Sequence, residues 1–271
     1  MRIREALAAG RELGVDRLDT QLLLAHRLQC TRAWLLAHDD DALEPPVAAQ
    51  FGADLARRAV GVPLAYIVGE REFHGLALQV TPAVLVPRPD TELLVDWALE
   101  LLPPDQPARV LDLGTGSGAI ALAVKYARPA VTVVATDVSD AALAVATANA
   151  KRLALELDFV AGAWWQPLAG RRFDLVLSNP PYIAGDDEHL PALRHEPRGA
   201  LTPEGDGLDA LRQIVAGAPA QLVPGGWLLL EHGYDQAEAV QALLLGAGFT
   251  AVATRRDLGS QPRCTGGCLP R

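Results

Sequence analysis

Arg109-Val110-Leu111-Asp112-Leu113-Gly114-Thr115-Gly116-Ser117-Gly118-Ala119-Ile120-Ala121-Leu122-Ala123-Val124 is the stretch from which the fold can be read. Its first five residues make a run of strand length, mostly apolar, as expected for a strand covered on both faces. Three glycines follow at alternate positions and allow a tight turn with close approach of a ligand. The apolar residues after Gly118 open a helix, whose N-terminal N–H groups face any polar group bound in the loop. The spacing is G-x-G-x-G, so it lacks the G-x-G-x-x-G register that grips a dinucleotide pyrophosphate.

Outward from this unit, strands and helices alternate to the end of the chain. Strands are expected at 108–113, 131–136, 157–161, 173–178, 226–231 and 249–254, and helices at 90–102, 118–128, 139–153, 206–219 and 234–247. Such alternation implies crossover connections and a mostly parallel sheet. Upstream, residues 1 to 60 carry helical periodicity, with Leu18, Leu22 and Ala25 on one face and Val47, Phe51, Leu55 and Ala59 on another. Four or five short helices are expected there. Between the two regions, Phe73, Leu76, Leu78 and Val80 suggest one strand, and Ala83-Val84-Leu85-Val86 a second, as a β-hairpin. The division expected is helical domain 1–68, hairpin linker 69–87 and α/β domain 88–271.

Composition narrows the function. The net charge is -9, and Lys125 and Lys151 are the only lysines, which argues against binding free nucleic acid through its phosphates. Three cysteines, Cys30, Cys264 and Cys268, form no disulfide framework or complete metal site. Met1-Arg2-Ile3-Arg4-Glu5-Ala6-Leu7 lacks the apolar core of a signal peptide, and no apolar run reaches the roughly 18 residues of a membrane span. A soluble, cytoplasmic protein is expected.

Four positions carry chemistry. The loop Gly114, Thr115, Gly116, Ser117 and Gly118 is the first. Asp137 ends the second strand of the α/β region, 23 residues beyond Gly114, where a carboxylate can accept both hydroxyls of a cofactor ribose. Trp164, with Trp165, follows the third strand and offers a face to adenine. Asn179-Pro180-Pro181-Tyr182 follows the fourth. An amide or aromatic amino nitrogen is a poor nucleophile because its lone pair is delocalised. The Asn179 side-chain oxygen and the Pro180 carbonyl can each accept one N–H of such an NH2 group. The lone pair then faces an incoming methyl, Tyr182 covers the flat group, and catalysis is mainly positioning.

Glycine loop and Asn-Pro-Pro-Tyr together resemble the class I, Rossmann-like S-adenosylmethionine methyltransferases that act on amino groups. Further segments resemble one branch, the HemK/PrmC family: Pro63 to Gly75, Val86-Pro87-Arg88-Pro89-Asp90-Thr91-Glu92, Glu196-Pro197-Arg198-Gly199-Ala200-Leu201, Asp206-Gly207-Leu208-Asp209 and Leu230-Glu231-His232-Gly233-Tyr234-Asp235-Gln236. The resemblance implies a seven-stranded, mostly parallel sheet behind a small all-α domain. It implies methylation of N5 of the glutamine in the Gly-Gly-Gln motif of class I peptide chain release factors. S-adenosyl-L-methionine would be the cofactor and S-adenosyl-L-homocysteine the product. Cofactor residues would be Gly114 to Gly118, Asp137, Trp164 and Asn179. Asn179, Pro180 and Tyr182 would be catalytic, with Pro181 and, less directly, Arg88 at the substrate, and the helical domain would hold a release factor. No metal, membrane or direct nucleic-acid partner is expected, and the protein is expected to be a monomer.

Two departures stand out. Ala163 occupies a position where relatives often carry an acidic residue. The C-terminus from Asp257 to Cys268 is unlike the usual closing strand, and is expected to fray or to pair irregularly at the sheet edge. Two other readings share parts of the pattern: an amino-methyltransferase acting on adenine or cytosine in nucleic acid, and a non-catalytic cofactor-binding module.

Overall fold

The computed structural model describes residues 1–271 as two compact units, Met1–Glu70 and Arg71–Arg271. The first holds five helices: α1 (Ile3–Glu12), α2 (Arg17–Leu28), α3 (Arg32–Ala37), α4 (Pro45–Ala59) and α5 (Leu64–Val68). Side-chain caps define two starts. Asp16 accepts from Leu18 N at 2.7 Å and Thr31 from Trp34 N at 3.2 Å. Ile3, Leu23, Leu24, Leu35, Phe51 and Leu55 form the core. The face expected on α2 is therefore turned: Leu23 and Leu24 point inward with Ala25, while Leu18 is exposed. On α4, Phe51 and Leu55 are buried as the periodicity predicts, but Ala59 is exposed. Arg27 grips the buried Asp54 with two hydrogen bonds, at 2.5 and 2.9 Å, and so ties α2 to α4.

A hairpin follows, β1 (Glu70–Phe73) and β2 (Leu76–Gln79), all of it but Glu70 in the second unit. Its turn is His74-Gly75, both at positive φ (49° and 79°), as a two-residue hairpin turn requires. The second strand is thus Leu76–Gln79, and Ala83-Val84-Leu85-Val86 is not a strand. No strand lies beside it to complete a ladder, and Ala83, Val84 and Leu85 wall a cavity instead.

Then come α6 (Glu92–Leu101), β3 (Arg109–Leu113), α7 (Ala119–Ala127), β4 (Thr132–Asp137), α8 (Asp140–Arg152), β5 (Asp158–Ala161), β6 (Phe173–Ser178), α9 (Arg198–Leu201), α10 (Asp209–Gln221), β7 (Leu222–Glu231), α11 (Ala237–Gly246), β8 (Thr250–Arg256) and β9 (Pro262–Cys268). The sheet order is β5-β4-β3-β6-β7-β9-β8. β5 to β7 run parallel, and β9 is antiparallel to both neighbours. Successive β3 residues serve opposite faces. Val110 joins the cluster built with Leu94, Trp97, Ile120 and Val124, whereas Leu111 and Leu113 pack against Leu211, Ile214, Val240 and Leu244. The order reverses at β3, which leaves a crevice at the strand carboxyl ends where open α/β sheets bind ligands.

The C-terminus corrects the expectation. β9 is an interior strand between β7 and β8, with Cys264 to Gly267 buried. A Cβ on Gly266 would lie 2.3 Å from Leu229 Cδ2 and 3.0 Å from Trp97 Cη2. Only glycine lets this strand approach so closely. Irregularity does occur, as shifts of register in its pairing with β8. No helix of the structure is long and apolar enough to cross a membrane.

Candidate active site

Three glycines give the loop after β3 its shape: φ is 73° at Gly114, 56° at Gly116 and 85° at Gly118. Each is left-handed, which explains the alternate spacing. At Gly118, the N-cap of α7, a Cβ would also meet Leu122 Cδ1 at 2.9 Å and Ala146 Cβ at 3.2 Å. The loop is held from behind. Gly114 N and Thr115 N both donate to Thr136 O, each at 2.9 Å. Thr115 Oγ1 donates to Asp112 Oδ2 at 2.6 Å. Burial pushes the Asp112 carboxyl up to about 7, although the hydrogen bonds from Thr115 and Ala121 oppose this. Asn149 joins loop to hairpin, donating to Ser117 O at 2.9 Å and to Gln79 O at 3.0 Å. Sequence reasoning misses Asn149, because a single asparagine in a helix carries no signal.

Asp137 closes β4 beside this loop. The helix after it is capped by Ser139, which accepts from Ala142 N. Asp137 is nevertheless engaged, since Oδ2 takes Gly116 N and Oδ1 takes Ser139 N, both at 2.9 Å. A carboxylate has about four acceptor sites, so each oxygen keeps one. The tryptophans separate. Trp164, at φ 45°, faces Gly114, whose Cβ would sit 3.6 Å from its ring. Trp165 turns away, with Nε1 donating to Ile214 O at 3.1 Å.

At the end of β6, Ser178 Oγ donates to Leu113 O at 2.7 Å, locking that strand end to β3. Asn179 Nδ2 donates to Thr91 Oγ1 at 3.1 Å, which leaves the amide oxygen as the open acceptor. Pro180 is buried and lies beyond the last ladder residue of β6. Tyr182 packs with the second apolar cluster, and its hydroxyl donates to Glu231 Oε1 at 3.2 Å. Gln236 Nε2 holds the Tyr182 carbonyl at 2.9 Å. Gly207 sits against this bond at φ 77°, and a Cβ there would lie 2.4 Å from Tyr182 O. Gly207→Ala is therefore expected to shift the loop and lower kcat about tenfold or more, with a Tm drop of several degrees in a thermal melt.

These groups open on one cavity of about 320 Å³. Gly114 to Ser117, Asp137, Trp164, Asn179 and Pro181 line it, as does Arg88. Ala83, Val84, Leu85 and Pro87 form part of its wall, which is the use of that apolar run. Gly118, Pro180 and Tyr182 are not on the wall. Arg88 Nη2 is held by the buried Glu196 at 2.5 Å, and Glu196 Oε2 also accepts Val86 N at 3.0 Å. Glu196 thereby fixes where the junction meets the loop before α9. Cys264 and Cys268 do not reach the cavity.

A doubly wound sheet with a glycine loop, Asp137 and Asn-Pro-Pro-Tyr at adjacent strand ends has the architecture of a class I methyltransferase. Residues 90–252 match the methyltransferase small domain family, and residues 2–69 match the PrmC N-terminal domain family. Release factor glutamine methyltransferase of Bordetella pertussis is 53% identical over 259 residues, covering 94% of this chain and 96% of that protein. Its counterpart in Xylella fastidiosa is 50% identical over 268 residues, 98% of each. The chain belongs to the release factor glutamine methyltransferase family. Among solved structures, a Pyrococcus furiosus methyltransferase is similar at TM-score 0.57 and 19% identity, over 73% of this chain and 90% of that one. The T. thermophilus 16S rRNA N2 G1207 methyltransferase, solved with AdoMet and guanosine, is similar at TM-score 0.56 and 23% identity, over 74% and 49%. At such identities the likeness concerns the fold alone.

Proposed function

We propose that the cavity at the β3–β6 strand ends is where this release factor glutamine methyltransferase performs its reaction, on the N5 amide of a Gly-Gly-Gln glutamine. The observation carrying this is the gathering of the glycine loop, Asp137, Trp164 and Asn179 around one cavity. The cradle suits S-adenosylmethionine. Gly116 has open space where a Cβ would project, Asp137 retains acceptor sites for ribose hydroxyls, and Trp164 presents a ring beside Gly114. When bound, the cofactor supplies an electrophilic methyl group on a sulfonium.

The chain's own residues do the rest. Asn179 Oδ1, on the cavity wall, accepts one N–H of the glutamine amide, and the Pro180 carbonyl, reached behind that wall, takes the other, which immobilises the NH2 and turns its lone pair toward the methyl. The two prolines stiffen the segment, and Glu231 and Gln236 brace Tyr182 behind it. Arg88, fixed by Glu196, lines the same cavity and is proposed to meet the substrate loop. The proton lost from the cationic product needs no strong base, since such a nitrogen is highly acidic. The helical unit is proposed to hold the release factor, and the enzyme to act as a cytoplasmic monomer.

Incubation with labelled S-adenosylmethionine and an unmethylated class I release factor should label the protein. A release factor with its Gly-Gly-Gln glutamine changed to alanine should stay unlabelled. Equal labelling of both would refute the assignment of the acceptor.

A further inference from the structure

Behind the acceptor loop lies a buried carboxyl whose protonation state the reaction as described does not use. Glu231, the last residue of β7, is 1% exposed. Its Oε1 accepts the Tyr182 hydroxyl at 3.2 Å. The Thr91 hydroxyl adjoins the same carboxyl closely enough to influence it, and also accepts from Asn179 Nδ2. Glu231 Oε2 is buried without a formed hydrogen bond. A buried carboxyl with one open oxygen is costly, and such groups call for an explanation. The Tyr182 end of the Asn-Pro-Pro-Tyr segment is bonded to this group, and the Asn179 end is bonded to Thr91 beside it. We propose that Glu231 is a positioning residue for methyl transfer, holding Tyr182 directly and setting the orientation of the Asn179 amide through Thr91.

Hydrogen-bond direction is what Glu231 controls. An ionised carboxylate only accepts. It takes the Tyr182 proton in the hydrogen bond already formed and favours a Thr91 hydroxyl proton turned its way, which leaves Thr91 Oγ1 to accept from Asn179 Nδ2. The Asn179 oxygen then faces the substrate amide. A protonated Glu231 can donate to either hydroxyl, Thr91 is free to donate to Asn179 instead, and the amide can flip its NH2 toward the substrate.

Burial pushes the Glu231 carboxyl up to about 7, against the opposing pull of Thr91, Tyr182 and Arg263, while Asp90 raises it further. Cys264, opposite Glu231 on β9, is itself raised by burial and by Glu231, so it stays a neutral thiol. The ionised, orienting form is therefore gained as pH rises through about 7. Linkage has the opposite sign: with the folded pKa raised, the stability present at low pH is lost as pH rises from about 4 to 7.

The inference rests on Asn179 to Tyr182 being the acceptor site, so the test compares Glu231→Gln, Thr91→Val, their double variant and Asn179→Ala on unmethylated release factor. Glu231→Gln should lower kcat about 10- to 100-fold, leave both KM values within about twofold, and flatten the rise in kcat near pH 7. Thr91→Val should lower kcat similarly, and the double variant should add little. A Glu231→Gln enzyme with the wild-type kcat would overturn the proposal. So would a lowered kcat that keeps the wild-type pH profile, which marks a purely structural role. If Asn179→Ala is itself active, the acceptor site is misassigned. If only Asn179→Ala is inactive, the site stands and Glu231 has no part in it.

Discussion

Replacing Asn179 by alanine should cut kcat by about 10²- to 10³-fold, the scale seen when one preorganised polar group is removed from a transition state. Affinity for S-adenosylmethionine should change by no more than about threefold. The reason is geometric. Asn179 supplies the open acceptor at the cavity wall, and its amide nitrogen is already committed to Thr91. Alanine leaves one N–H of the glutamine amide unpaired and the NH2 free to turn, so the lone pair is no longer held toward the methyl. The loop should survive, because Pro180, Pro181 and the Tyr182 bonds to Glu231 and Gln236 remain. Single-turnover methyl transfer and calorimetric cofactor binding, measured on one preparation, separate the two effects. Equal losses in both would mean that Asn179 serves the cofactor and not the amide.

Asp137→Ala should act the other way round. Two charge-assisted hydrogen bonds to ribose hydroxyls would go, each worth about 1.5 kcal/mol or more, so Kd for S-adenosylmethionine should rise about 100-fold. The loss is larger than a simple contact deletion, because Gly116 N and Ser139 N also lose their acceptor and the glycine loop loses a brace. At saturating cofactor, kcat should fall by less than about tenfold, because the acceptor segment is untouched. Asp137→Asn keeps one acceptor oxygen and should lie between. A wild-type Kd for Asp137→Ala would remove this residue from the cofactor site.

Much of the site is legible in the amino-acid sequence. Gly114, Gly116 and Gly118 sit at left-handed φ, which other residues adopt at a cost, so their spacing announces the turn. Strands β3, β4 and β6 are covered on both faces and read as apolar runs. Other parts give no local sign. Pro262-Arg263-Cys264-Thr265-Gly266-Gly267-Cys268 has poor strand propensity and no alternation. It becomes a strand because β7 and β8 offer ladders on both sides and Gly266 fits against Leu229 and Trp97. Ala83 to Val86 misleads in the opposite sense: it is apolar enough for a strand, but Ala83, Val84 and Leu85 wall a cavity.

By itself, then, the sequence determined the doubly wound fold and the cofactor class, and it supplied the Asn-Pro-Pro-Tyr segment proposed as the acceptor site, because these are written in backbone geometry and functional groups within a few consecutive residues. Tertiary structure alone decided which tryptophan faces the cavity and that Tyr182 points to Glu231 instead of lining the wall. It also brought Asn179 and Tyr182 together with the buried Thr91 and Glu231. Their separation along the chain reaches 140 residues, from Thr91 to Glu231, and only packing of the sheet sets such distances.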